Sequence, residues 1–430
     1  MNLRLPVIAA GLIAAGLSPA ADWPQWRGPH RDGVSPETGL MKAFPAGGPK
    51  LLWSSKDAGL GYSAVAVVGG SLYGFGSTGD EGEEFVFALD AATGKPKWRT
   101  PIKTIQPLPD FHTAWGGGPR CTPTVDGNRL YVLGSQGDLA CLETAAGKLV
   151  WQKSLTKDLD GKMMSEWGYS ESPLVDGDQV VCSPGGDDGT LAALDKKTGA
   201  VRWRSTGLSA KATYSSIIVA NVAGVRHYVQ LTKDGPAGFS PKDGKVLWQE
   251  KVSTYNVATI PTPIVHDDCV YVTAGYGAGC GLVKLTPDGQ GGLKSKVVYK
   301  KKVIENKHSG VVLVGNCVYG HDEKEGLTCQ EFTTGKVNWS AGRKLEESSL
   351  VAADGYLYCY GARTGAVACV EATPTGFVEK GRFAIPQKSD KRKKQGGIWT
   401  YPVIAEGKLF LRDQELLFCF DLRDARAGGG

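Results

Sequence analysis

Five copies of a short phrase, in which Trp follows Gly by four residues, recur along this 430-residue chain. Each copy follows an apolar stretch that ends in an acidic or polar residue, as in Phe87-Ala88-Leu89-Asp90. The pattern is that of strand, tight turn and strand, in which Gly gives the turn a positive φ and Trp anchors the outgoing strand. The first four copies lie roughly 50 residues apart, the period of a propeller blade or solenoid rather than of a helical heptad. They end at Trp98, Trp151, Trp203, Trp248 and Trp339.

Alignment of the copies gives a unit of four short strands, which is the pattern of a propeller blade. The 59 glycines fall largely at turns between runs rich in Val, Tyr and Leu, as in an all-β protein. Eight units are counted, and the last one ends at Asp421 to Arg423 after only three strands. The stretch Pro49 to Trp53 is an unassigned fourth strand near the other end of the chain. We therefore predict an all-β, eight-bladed propeller of four-stranded blades whose ring is closed by Leu51 to Trp53.

The first 21 residues have the pattern of a secretory signal peptide. Arg4 precedes an apolar stretch from Leu5 to Leu17, and Ser18-Pro19-Ala20 is a small-residue cleavage site. We expect cleavage just before Ala21 or Asp22 and a periplasmic or secreted product. The predicted organisation is then an extended N-terminal arm at residues 22–48, the propeller at 49–425 and a flexible tail at 426–430.

Charge and hydropathy exclude two classes of partner. The formal net charge of +5 is not concentrated on one face, so we do not expect nucleic-acid binding. No stretch after the predicted signal peptide is long and apolar enough to span a bilayer. We expect a monomer.

The ten cysteines leave two alternatives open. Spacing across short turns allows the disulfides Cys269–Cys280, Cys317–Cys329 and Cys359–Cys369. A second alternative is that the cysteines are small buried thiols, because several occupy a third-strand position that Ala fills in other units. No Cys-x-x-Cys motif occurs, which argues against covalent haem and a cysteine zinc site.

The stretch from Leu89 to Trp98, Leu-Asp-Ala-Ala-Thr-Gly-Lys-Pro-Lys-Trp, resembles the tryptophan-docking repeat of quinoprotein-type propellers. That fold is shared by pyrroloquinoline quinone (PQQ) dependent alcohol dehydrogenases and by the propeller subunit of the outer-membrane protein assembly machinery. Asp22 to Pro29, Trp115 to Arg120 and Arg412 to Gln414 are similar to segments of exported bacterial PQQ-like repeat proteins, most of which have no assigned activity. The resemblance implies structural docking by Trp53, Trp98, Trp151, Trp203, Trp248 and Trp339.

The same resemblance bears on the cofactor. Enzymes of this class hold PQQ between a Trp and a disulfide of adjacent cysteines, beside a calcium or lanthanide ion. This chain has no adjacent cysteine pair. PQQ with calcium is therefore disfavoured, and we assign no cofactor, no metal site and no catalytic residue from the sequence.

At the first residue of each inner strand the residue type differs from unit to unit, whereas the structural Gly and Trp are repeated. Such residues line the mouth of a propeller channel, and here most are polar or aromatic: Tyr62, Arg120, Ser170, Tyr214, Ile260, His308, Glu347 and Trp399. We predict a ligand site in this funnel, enlarged by the neighbouring residues Trp115, Trp167, Tyr169, Glu171 and Tyr255. The alternative is a water-filled mouth in which Arg120 forms an ion pair with Glu171 or Glu347 and His308 is solvated.

The leading function predicted from these features is an exported, non-enzymatic binding or assembly scaffold whose ligand or partner binds at the funnel. One alternative is a PQQ-dependent dehydrogenase of alcohols or sugars. A further alternative is a carbohydrate- or peptide-binding module that uses the funnel aromatics.

Overall fold

The computed structural model describes residues 21–254, 258–290, 292–308 and 310–424. Over these residues the chain forms eight sheets of four antiparallel strands, one of which carries an additional parallel strand. Each sheet is one blade of a propeller, and a 3-10 turn at Gly342–Lys344 is the one helical element within these residues. The predicted all-β, eight-bladed fold is confirmed. The signal peptide up to residue 20 and the tail at 426–430 lie outside the described residues.

Two strands precede the first complete blade, β1 (Val34–Ser35) and β2 (Leu51–Ser55). Blades 1 to 4 contain, in order, β3 (Ala66–Val68), β4 (Ser71–Ser77), β5 (Glu84–Asp90), β6 (Pro96–Ile102), β7 (Thr124–Asp126), β8 (Arg129–Leu133), β9 (Asp138–Glu143), β10 (Leu149–Ser154), β11 (Leu174–Asp176), β12 (Gln179–Cys182), β13 (Ala192–Asp195), β14 (Val201–Arg204), β15 (Ile218–Val222), β16 (Val225–Thr232), β17 (Gly235–Phe239) and β18 (Val246–Gln249).

Blades 5 to 8 follow in the same way. Their strands are β19 (Ile264–His266), β20 (Cys269–Ala274), β21 (Gly279–Pro287), β22 (Leu293–Lys301), β23 (Val311–Val314), β24 (Cys317–Asp322), β25 (Gly326–Glu331), β26 (Val337–Ser340), β27 (Ser348–Ala353), β28 (Tyr356–Gly361), β29 (Ala366–Glu371), β30 (Glu379–Ala384), β31 (Val403–Ala405), β32 (Lys408–Asp413) and β33 (Leu416–Asp421). Blade 8 takes its fourth strand from β2, so the predicted closure by Leu51 to Trp53 is confirmed.

The Trp of the repeated phrase joins each blade to the next one along the ring. In blade 1 the indole N–H of Trp98 donates to the carbonyl of Thr144 in blade 2, at 2.9 Å. Equivalent bonds run from Trp53 to Ala91, Trp151 to Lys196, Trp203 to Pro241 and Trp339 to Thr373. Blade 5 uses the hydroxyl of Tyr299 instead, which donates to Phe332 at 2.7 Å. The indole N–H of Trp248 has no hydrogen-bond partner among the described residues.

The Gly of the phrase receives the Trp of the preceding blade. Gly147 adopts a φ of 68°, and a Cβ at this position would lie 2.4 Å from the ring of Trp98. Two features therefore restrict position 147 to Gly, namely the left-handed turn and the indole packed against it. The same contact joins Trp53 to Gly94, Trp151 to Gly199 and Trp203 to Gly244, and in the last copy Gly335 contacts Tyr299 instead of a Trp.

The ring is closed by a single buried side chain as well as by strand pairing. Arg412 on β32 is 1% exposed, and each of its five N–H groups donates to a backbone carbonyl. The acceptors are Gln414 at 2.8 Å, Ser63 at 2.8 Å, Phe75 at 2.7 Å, Ala58 at 3.1 Å and Gly59 at 3.0 Å. Blade 8 is thus held to the segment that leads from the closure strand into blade 1.

The N-terminal arm crosses the inner strands of the ring. Its β1 pairs in parallel with β27 of blade 7, and Trp23 pairs with Val67 of blade 1. Two arginines of the arm, Arg27 and Arg31, are 4% and 3% exposed. They donate to carbonyls of the inner strands or of the segments that lead into them, in blade 6 at Val311 and in blade 3 at Ser172 and Pro173. The arm is therefore part of the core of the ring.

None of the three candidate disulfides forms, and all ten cysteines are buried and unpaired. The strand register explains this, because Cys269 lies opposite Lys284, Cys317 opposite Glu331 and Cys359 opposite Ala368. The small-thiol alternative describes the structure. In blade 2, for example, Cys141 lies between Tyr131 on one side and Trp151 on the other, where a larger side chain would displace both rings.

We predict that Gly147→Ala destabilises the protein more than Gly127→Ala in the same blade. Both residues have positive φ, but a Cβ at Gly127 meets nothing within 4 Å. The contact with Trp98 should add about 1–3 kcal/mol to the cost that both variants share. Chemical denaturation of the two variants measures the difference, and equal midpoints would show that the Trp contact does not contribute to stability.

We also predict that Arg412→Met lowers the free energy of unfolding by about 3 kcal/mol or more, because several buried carbonyls lose their donors. Arg423→Met is the matched control, since Arg423 is 65% exposed and pairs only with the nearby Asp421. Thermal unfolding compares them. A melting temperature for Arg412→Met as high as that of the control would contradict the closure role.

Candidate functional site

The inner-strand positions singled out in the sequence meet at one cavity of about 170 Å³. In nearly every blade this position comes a few residues before the inner strand, so equivalent side chains are carried to the same height around the axis. The aligned residues that line the cavity are Tyr62, Arg120, Ser170, Tyr214, Ile260, His308 and Trp399. Trp115 and Trp167, predicted as neighbours, also line it.

Hydrogen bonds between adjacent blades fix the segments that carry these residues. The backbone N–H of Thr122 donates to the hydroxyl of Ser172 at 2.9 Å. The backbone N–H of Ser172 in turn donates to the hydroxyl of Ser216 at 3.0 Å. The hydroxyl of Ser215 then donates to the carbonyl of Pro261 at 3.0 Å. These bonds link blades 2, 3, 4 and 5 just behind the cavity wall, so the lining is preorganised.

One side of the cavity is built around Trp399. Its ring stacks on His308, with centroids 4.5 Å apart, and contacts Tyr62 at 5.3 Å. The Tyr62 hydroxyl donates to the carbonyl of Trp115 at 2.7 Å, and burial raises the pKa of Tyr62 to about 12. Tyr62 is therefore a neutral hydrogen-bond donor at physiological pH. Trp115 is 44% exposed and stands at the mouth.

The other side is formed by Trp167 and Tyr214, whose rings are stacked with centroids 6.3 Å apart. Burial raises the pKa of Tyr214 to about 12, and its hydroxyl is hydrogen-bonded to that of Ser165. The two faces together give a cavity whose walls are mostly aromatic. Such walls stack on planar or apolar ligand groups.

Three further aromatic residues line the cavity and were not predicted: Trp26, Tyr276 and Tyr401. Trp26 belongs to the N-terminal arm, contacts Tyr401 edge to face at 4.6 Å and donates to the hydroxyl of Thr262 at 2.9 Å. No repeat register could place it, because the arm lies outside the repeats. Tyr401 could have been predicted from the sequence, since it lies two residues after Trp399 in an extended segment and so faces the same side.

Arg120 is the cationic residue of the cavity. It donates to the carbonyls of Trp167 at 2.7 Å and Gly116 at 3.2 Å, and its guanidinium lies 5.9 Å from the ring centroid of Tyr62. It forms no ion pair with any described carboxylate, so the predicted alternative of a pair with Glu171 or Glu347 is wrong.

Glu347, the remaining aligned residue, lies behind the lining and faces His308, whose Nδ1 is 3.5 Å from its Oε1. Burial opposes ionisation of Glu347, but the interactions with His308, together with the charges of His321 and Lys307, lower its pKa overall. Glu347 is therefore ionised at neutral pH. His308 is held between this carboxylate and the face of Trp399.

Two predicted residues lie elsewhere. Tyr169 is fully buried and donates to the carbonyl of Pro184 at 3.0 Å. Glu171 is 1% exposed, accepts from the N–H of Ser183, and has a pKa raised to about 8 by burial. Because side chains alternate along an extended chain, both neighbours of Ser170 turn away from the channel. Tyr255 lies outside the described residues.

The lining of the cavity contains no carboxylate and no cysteine. Throughout the residues that the structure describes, no three His, Cys, Asp or Glu side chains are grouped so that they could hold a metal ion. No helix within these residues is long and apolar enough to cross a membrane.

Comparison with known proteins places the chain among PQQ-like propellers. The family model described as outer membrane protein assembly factor BamB matches residues 82–341. BamB of Yersinia pestis is 25% identical over 342 residues, which cover 76% of this chain and 77% of that protein.

Solved structures agree on the fold. BamB from Moraxella catarrhalis has a TM-score of 0.54 at 15% identity, covering 86% of this chain and 97% of that one. The quinohemoprotein alcohol dehydrogenase ADHIIG from Pseudomonas putida has a TM-score of 0.53 at 13% identity, covering 94% of this chain and 81% of that one. The predicted resemblance to PQQ-like propellers is confirmed. The family model matches more than half of this chain, which therefore belongs to the family described as outer membrane protein assembly factor BamB.

Proposed function

We propose that this protein is an exported, non-enzymatic assembly scaffold that holds its partner at the aromatic cavity. The observation that carries the proposal is the convergence of the non-repeating inner-strand residues on one preorganised cavity. The similarity to proteins named outer membrane protein assembly factor supports the same role.

The chemistry of the lining supports binding rather than catalysis. Its groups that could act as a base or nucleophile are already engaged, with Tyr62 and Tyr401 donating to backbone carbonyls and His308 facing Glu347. Reaction chemistry needs a nucleophile or a general base with its orienting partner within reach of substrate. The cavity offers stacking surfaces and one cation instead, which suits recognition of a partner segment.

Export is supported by the surroundings of the predicted cleavage site. The backbone nitrogen of Ala21 donates to Oε1 of Glu37 at 3.2 Å. Glu37 is 6% exposed, and its other oxygen accepts from the N–H of Gly407 at 2.7 Å. Cleavage after Ala20 would convert the Ala21 nitrogen into an ammonium beside this buried carboxylate. We therefore place the cleavage between Ala20 and Ala21.

The cavity is tested by complementation in the native host after deletion of the gene. We predict that deletion lowers the amount of folded outer-membrane β-barrel protein and that Trp115→Ala fails to restore it, because the exposed indole at the mouth is lost. Val298→Ala is the matched control, since Val298 is 50% exposed on the outer strand of blade 5. Full complementation by Trp115→Ala, at equal protein level, would rule out the cavity as the partner site.

The absence of catalysis is tested on the purified protein, which is assayed for dye reduction with PQQ, calcium and a panel of alcohols and sugars. The proposal expects no turnover. Turnover would show that the protein is an enzyme.

Export is tested by determining the mass and the N-terminal sequence of the protein recovered from the periplasm or medium. We predict that the chain begins at Ala21. A protein found only in the cytoplasm would contradict export, an exported chain that begins at Met1 would contradict cleavage, and one that begins at Asp22 would contradict the pairing with Glu37.

A further inference from the structure

Arg120 places an uncompensated positive charge in an aromatic cavity. Nη1 and Nη2 each donate one hydrogen bond to a backbone carbonyl, which leaves donors of the guanidinium unused. The adjacent Trp167, whose carbonyl accepts one of those bonds, has a buried indole N–H without a partner among the described residues. Two side chains of the lining therefore keep hydrogen-bond donors available beside each other.

The carboxyl groups near this cation have other partners. Glu84 is buried, accepts from the N–H of Ser135 and has a pKa raised to about 7 by burial. Asp80 pairs with Lys393 and accepts from the N–H of Gly117. Glu347 faces His308. The other cation near the cavity, Lys307, is paired with Glu323 at 3.1 Å. One positive charge, that of Arg120, thus remains for a ligand to neutralise.

Size limits the group that can accompany this charge. The cavity volume of about 170 Å³ is close to the roughly 150 Å³ of an engineered cavity that holds benzene. The space therefore suits one aromatic ring or a group of similar size, between Trp167, Tyr214 and Trp399. A guanidinium binds a carboxylate through two parallel hydrogen bonds.

We infer that the cavity takes a single-ring-sized apolar group that carries one carboxylate, with Arg120 bound to the carboxylate. A dianion would exceed the single free cation. This chemistry is present in a free aromatic acid and in an aromatic residue at the C-terminus of a partner chain. The inference rests on the proposed function, because it names what the partner site recognises.

Isothermal titration calorimetry of the exported protein tests the inference with two pairs of probes. The first pair is 3-phenylpropionate and its neutral amide. The second is a short peptide that ends in phenylalanine with a free carboxylate, and the same peptide amidated. Each acid should bind at least about tenfold more tightly than its amide, as expected for charge-assisted hydrogen bonds. Binding of the small acid alone indicates a free acid as ligand, and tighter binding of the peptide acid indicates a C-terminus.

Variants assign the preference to the guanidinium. Arg120→Gln should remove the preference for acid over amide, and Arg120→Lys, which keeps the charge without the planar fork, should retain part of it. Arg202→Gln, on the outer strand of blade 3, should leave the preference unchanged. Melting temperatures confirm that each variant is folded, and a misfolded Arg120→Gln leaves the Arg120→Lys series and the wild-type probe pairs to decide.

Equal binding of acid and amide to the wild-type protein, or no binding of either, overturns the inference. Its failure is distinct from failure of the proposed function. If no acid binds but Trp115→Ala still fails to complement, the cavity remains a partner site and only the ligand class is wrong. If Trp115→Ala complements fully, the partner site itself is wrong.

Discussion

Closure of the ring is the interaction on which the rest of this structure depends. Leu51–Ser55 pairs with Leu416–Asp421, so one blade is completed by the two ends of the propeller sequence. Arg412 reinforces this junction by donating to carbonyls on both sides of it. An open ring would expose two sheet edges and would let the inner strands splay apart. The cavity needs those strands at fixed distances, and the closure contact reaches its lining directly, since Arg412 donates to the carbonyl of Ser63, next to Tyr62.

The N-terminal arm connects blades of the ring and contributes to the cavity. As it crosses the inner strands it buries Arg27 and Arg31 against carbonyls of two blades and places Trp26 in the cavity lining. Burying two guanidinium groups is costly unless their N–H groups are hydrogen-bonded. The carbonyls of Val311 in blade 6 and of Ser172 and Pro173 in blade 3 accept from the terminal nitrogens of these arginines. Nε and Nη1 of Arg27 and Nε of Arg31 have no hydrogen-bond partner among the described residues. The arm is therefore tied to blades 3 and 6 and also contributes to the cavity.

The blades could be predicted because several of them repeat one contact, in which a Gly turn packs against the Trp of the preceding blade, as Gly147 does against Trp98. The cavity could be predicted in part because residue types vary at one position. Arg120, His308 and Trp399 occupy equivalent positions in their blades, and the residue type there differs from blade to blade. Tyr169 and Glu171 were misplaced because nearness in sequence was taken as nearness in space, and alternation turns them into the blade. The position of Trp26 could not be predicted, because a segment outside the repeats cannot be aligned with them.

The central claim is that the aromatic cavity is where the partner binds. Site-specific photo-cross-linking tests it most directly, with the cross-linker placed at position 115 at the cavity mouth or at position 298 on the outer edge of blade 5. The two native side chains are similarly exposed, at 44% and 50%, so accessibility alone does not favour either position. The account predicts cross-links to one discrete partner in the native host from position 115 and none from position 298. Cross-links from position 298 alone would contradict it.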